Sequence, residues 1–62
     1  MEEPVILWTH PGEYVLQVVG PDNTMRQVRQ KFQTQEQLIG LVDRWRNQNV
    51  GHVLVATIYK GK

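Results

Sequence analysis

The chain of 62 residues contains no serine and no cysteine, which removes the commonest hydroxyl and thiol nucleophiles. Four threonines remain. Thr9 and Thr57 lie in β-favouring runs, Thr24 follows a turn and Thr34 precedes a helical pattern, so each has a structural place. Glu2, Glu3 and Glu13 supply carboxylates, but no periodic element sets two of them together for general acid–base work. The only imidazoles, His10 and His52, are expected at opposite ends of a sheet, which separates them too far to share a metal or a proton. No glycine-rich phosphate loop is present. These residues point away from an enzyme and from any cofactor or metal.

Basic and amide side chains carry the remaining chemistry. Gln17, Gln27, Arg29 and Lys31 are expected to project from one face of a sheet, with Trp8 or Tyr59 as an aromatic neighbour. Arginine and lysine contact phosphates, glutamine reads base edges, and a sheet can enter a groove. A basic face of Arg26, Arg29 and Lys31 therefore makes nucleic-acid binding the alternative function. The bland reading of the same residues is an ordinary solvated or partner-facing surface. Arg44 and Arg46 flank Trp45, and near a helix C-terminus their charge complements the macrodipole.

Four strands and one helix must position these groups. VILWT (5–9) is a β-favouring run behind Pro4, apolar in both alternate sets, and it breaks at His10-Pro11-Gly12. EYVLQVV (13–19) leads into Gly20-Pro21-Asp22-Asn23-Thr24. Proline pre-sets the first central turn position and asparagine tolerates the left-handed conformation, the pattern of a three-residue hairpin loop. That loop fixes a register in which opposed residue numbers sum to 44. Val18 then faces Arg26, Leu16 faces Val28, Val15 faces Arg29 and Glu13 faces Lys31. Tyr14, Leu16, Val18, Val28 and Phe32 gather on one side, and a loop one residue longer or shorter would misplace Val28 and Phe32. The polar third strand suits an edge.

Thr34 with Gln37 is a capping box, and Leu38, Leu41, Val42 and Trp45 form an apolar stripe that Ile39 widens. Gly40 sits inside this helix and is read as a close approach to the sheet. Asn47, Asn49 and Gly51 are stop signals. HVLVATIY (52–59) is a final strand, again apolar in both alternate sets: Val53, Val55, Thr57 and Tyr59 against Leu54, Ala56 and Ile58. Lys60 to Lys62 are read as a frayed end.

The order β-β-β-α-β predicts one α+β domain over residues 1–62, a two-layer fold with a four-stranded mixed sheet and one helix on one face. The preferred strand order is 3-2-1-4, with 1-2-3-4 as the alternative. A chain this short buries only about 60% of its unfolded surface. With no disulfides available, association is the expected supplement. Residues 1–23 hold four acidic side chains and no Lys or Arg; residues 24–62 hold seven basic against two acidic. Cross-strand pairing of these charges is the ordinary expectation, an acidic or self partner the sharper one. One helix cannot cover both faces of the sheet, so Val5 and Leu7, or Trp8, and the last strand must find another cover. The functional expectation is thus a non-enzymatic protein-interaction module, a homodimer in the first instance. Its contact residues are drawn from Trp8, Gln17, Gln27, Arg29, Lys31, Val55, Thr57 and Tyr59. No apolar run reaches the roughly 20 residues of a membrane span, and the acidic start is unlike a signal peptide, so a cytoplasmic location is expected. Hairpin, helix and glycine-led strand resemble, in layout over the C-terminal two-thirds, several small interaction modules, including linker domains of light-harvesting assemblies. That likeness carries no residue role across.

Overall fold

The structure, a computed structural model, describes residues 3–61; Glu2, among the candidate carboxylates, and Lys62, in the C-terminal end read as frayed, lie outside them. Strands β1 (Val5–Leu7), β2 (Gly12–Val19) and β3 (Met25–Phe32) precede helix α1 (Gln35–Asn47) and strand β4 (His52–Ile58). The fold is an α+β two-layer arrangement, a four-stranded mixed sheet with one helix on one face.

The β2–β3 hairpin keeps the predicted register over all its pairs, from Gly12 opposite Phe32 to Val19 opposite Met25. Asn23 takes the left-handed conformation at φ 68°, and the Asn23 and Gly20 amides donate to Gly20 O and Thr24 O at 2.9 and 2.8 Å. Two-residue periodicity then sends Tyr14, Leu16, Val18 and Phe32 into the core, with Val28 half-buried beside them.

The strand order is β1-β4-β2-β3, which corrects both expected orders. The strand directions are as expected: β4 runs parallel to β1 and antiparallel to β2. What differs is that β4 inserts between them. The backbone of β4 is thus paired along both edges, with β1 on one side and β2 on the other, while its alternate side chains still point to the two faces of the sheet. The link from β1 to β2 must then cross the end of β4. Tyr14 anchors that link: its hydroxyl donates to His10 O at 2.6 Å and accepts from the Thr9 and His10 amides at 3.1 and 3.2 Å.

A bulge in β4 also departs from simple alternation. Val53 opposes Val18 and Val55 opposes Gln17, so Leu54 is an extra residue. Val53 therefore turns inward with Ala56, while Val55 and Thr57 share the opposite face. Strict alternation groups Val53 with Val55, and the bulge separates them.

Helix α1 starts at Thr34, whose Oγ1 accepts from the Gln37 amide at 3.2 Å. The Gln37 side chain reaches back to the Gln33 amide at 2.8 Å, one residue earlier than a standard capping box would place it. The helix closes in a Schellman motif. Asn49 is left-handed at φ 58°, its amide donates to Arg46 O, and the Val50 amide donates to Trp45 O at 2.9 Å. Leu38 and Val42 are buried, and Leu41 and Trp45 pack beside them. Ile39 is exposed and does not widen the stripe. Gly40 is exposed as well, and a Cβ there would meet no atom within 4 Å, so it serves no close approach. The close approach is at Gly51, where a Cβ would lie 2.5 Å from Val18 Cγ1.

Candidate functional site: the open face of the sheet

The helix covers the face built from Ile6, Tyr14, Leu16, Val18, Phe32, Val53, Ala56 and Ile58. Side chains of opposite parity point to the other face, and the strand registers arrange them in rows. One row runs Leu7, Thr57, Val15, Arg29 from β1 to β3. The next runs Val5, Val55, Gln17, Gln27. Tyr59 extends a third row: its amide donates to Glu13 O at 2.7 Å, and Glu13 opposes Lys31. The first two rows start on an aliphatic side chain of β1, and all three end on a polar or basic side chain of β3. Val5 and Leu7 are 51% and 52% exposed, values expected of loop residues rather than of aliphatic side chains in a sheet.

Seven of the eight candidate contact residues share this face: Gln17, Gln27, Arg29, Lys31, Val55, Thr57 and Tyr59. Trp8 does not. It stacks on Tyr14 at 4.7 Å between ring centroids, 4° from parallel, on the helix side, where Tyr14 meets Phe32 edge-on at 6.3 Å. The uncovered apolar set is thus Val5 and Leu7 rather than Trp8. Arg26 also leaves the basic group, because it opposes the buried Val18 and so lies on the helix side of the sheet.

Arg29 reaches across β2, and its guanidinium carbon stands 4.5 Å from the Tyr59 ring centroid. A cation–π contact of this kind at an exposed site contributes about 0.5–1 kcal/mol. Residues 29 and 59 are far apart in sequence, and only the insertion of β4 beside β2 brings them together. Sequence reasoning named both residues but had no means of pairing them under the 3-2-1-4 order.

Cross-strand charge pairing is weaker than expected. Glu13 and Lys31 oppose each other in register without forming a contact ion pair. Among the described residues the one ion pair is Asp43 to Arg46 at 3.5 Å, exposed and one turn apart on α1, a geometry that contributes little. His10 and His52 fall at opposite ends of the sheet, and His10 Nδ1 donates to Pro11 O at 2.8 Å. Among the described residues no three His, Cys, Asp or Glu side chains gather to hold a metal ion, and no helix is long and apolar enough to cross a membrane.

The hydrogen-bonding demand of the core is met: among the described residues no buried side-chain nitrogen or oxygen lacks a partner. What the molecule leaves unmatched is apolar surface on one face, bordered by a basic and amide strand. No family model, curated protein or solved structure matches this chain.

Proposed function

We propose that the chain is a non-enzymatic protein-interaction module that associates with itself and works by surface recognition in the cytoplasm. One observation carries the reading: the single helix covers one sheet face, and the other leaves Val5, Leu7 and Tyr59 exposed beside Val15, Val55 and Thr57. Contiguous apolar surface rimmed by polar groups marks an interaction site. A chain of this length has a small core, and covering the second face adds burial that its own residues do not supply. The lack of serine and cysteine supports the non-enzymatic half of the proposal. Light scattering on an eluting column tests it. A dimer is expected at micromolar concentration; a clean monomer with an intact melting transition would overturn self-association.

A second reading, nucleic-acid binding, is favoured by the Arg29–Tyr59 stack with Lys31, Gln17 and Gln27 on the same face. It no longer draws on Arg26. Fluorescence anisotropy against a labelled single strand at two salt concentrations separates the readings, since phosphate contacts weaken steeply with salt. Arg29→Glu with Lys31→Glu abolishes binding under this reading and leaves the dimer intact under the first. Absence of binding at low salt would remove it.

A further inference from the structure

The sheet has two edges, and they are defended differently. Edge β3 is eight residues long, exposed at all but Val28 and Phe32, and carries Arg26, Arg29 and Lys31. Antiparallel pairing of two such edges would gather three cations from each copy along one ladder, and charge of this kind is a common guard against edge pairing. Edge β1 lacks a charge guard, although its three-residue length and the preceding Pro4 limit how far a pairing strand can extend along it. Its residues are Val5, Ile6 and Leu7, uncharged, with β4 on one side and, among the described residues, nothing on the other.

Resting on the self-association reading above, we infer that β1 pairs antiparallel with β1 of a second copy across a two-fold axis beside Ile6, joining the two sheets edge to edge. The segment is self-complementary about that point. Val5 falls opposite Leu7 of the second copy, and Leu7 opposite its Val5. Pro4 falls opposite Trp8 and Glu3 opposite Thr9, so no like charges meet. Both Val–Leu pairs lie on the open face, next to Val55 and Thr57. The axis therefore fuses two apolar strips into one and covers the half-exposed flanks of Val5 and Leu7. Cross-strand aliphatic pairs of this kind are the unit of sheet stabilisation. A foreign strand is the poorer occupant. Three uncharged residues give it little to be selected by, whereas two-fold symmetry makes every contact twice.

The test uses the full chain and three variants on exposed or open-face positions, with dimer dissociation constants from analytical ultracentrifugation. Val5→Lys with Leu7→Lys sets like charges opposite at both pairs. It should weaken the dimer on the order of 100-fold, while circular dichroism remains that of the folded chain. Val5→Glu with Leu7→Glu should do the same. Mixing the two variants should restore dimers, which holds the claim open even if one variant is poorly folded. Val15→Lys, at the centre of the open face, should leave the dimer intact. A dimer lost in Val15→Lys but retained in Val5→Lys with Leu7→Lys would overturn edge pairing and leave a face-packed dimer standing. A folded wild-type monomer at micromolar concentration would overturn both, since the dimer is expected there by mass action.

Discussion

Gly40 sits on the solvent side of α1, where a Cβ would meet nothing within 4 Å, whereas a Cβ on the buried Gly51 would press on Val18 at 2.5 Å. The two glycines therefore respond to the same substitution with opposite sign. Gly40→Ala should stabilise by about 1 kcal/mol through helix propensity. Gly51→Ala should destabilise by about 1–3 kcal/mol, because a packed core cannot absorb the added methyl without shifting Val18. Urea melts of both variants check this, and a stabilised Gly51→Ala would refute the close approach. Sequence reading assigned the close approach to Gly40 because glycine inside a helix invites a packing reason; which side of α1 it occupies follows only from where Leu38 and Val42 bury. Tyr14 makes a comparable point. Its ring is part of the legible core set, but its hydroxyl holds the β1–β2 link through Thr9 and His10. Tyr14→Phe keeps the packing and removes those bonds. It should lower Tm by roughly 5 °C or more, a large shift for a domain this small. A variant melting with the wild type would show that water replaces the hydroxyl at no cost.

The β2–β3 hairpin was legible residue by residue because its determinants are local. Pro21, Asp22 and Asn23 set the loop, and the loop sets every pair up to Gly12 opposite Phe32. The loop also carries a titratable group. Asp22 Oδ1 accepts from the Thr24 hydroxyl at 2.8 Å, and that bond, aided by the Thr24 amide, holds its carboxyl below the usual aspartate range. A depressed folded value means that the carboxylate stabilises the hairpin above about pH 4, and that this contribution is lost as pH falls through the lower folded value. The Tm advantage of the wild type over Asp22→Asn should therefore shrink from pH 6 toward acid. A difference constant with pH would show that Asp22 acts there without its charge. The helix ends were half legible. The Thr34 cap holds, and of the three stop candidates it is Asn49 that takes the left-handed conformation, whereas the Gln37 side chain serves Gln33 rather than Thr34. Capping motifs admit such shifts because neighbouring amides compete for one side chain.

At the scale of the whole molecule, sheet order was the part that could not be read. Turn chemistry says which strands leave a hairpin together; it does not say whether a later strand adds at an edge or inserts between earlier ones. The two-faced apolar pattern of β4 is visible in the sequence, but it speaks of the faces of the sheet and not of which strands lie beside β4. The corrected order narrows the partner surface. With β4 internal, it is β1 that offers an uncharged edge and exposed side chains, Val5 and Leu7. If a second copy covers them, folding and assembly are linked, because the dimer binds only folded chains. Tm should then rise with protein concentration by roughly 5 °C per tenfold, given the unfolding enthalpy expected for two chains of this length. Val5→Lys with Leu7→Lys should flatten that dependence while leaving the low-concentration Tm near that of the wild type, since neither side chain contributes to the monomer's core. A wild-type Tm independent of concentration would mean that the monomer accounts for all of the measured stability, and that the open face is covered by something other than a second copy.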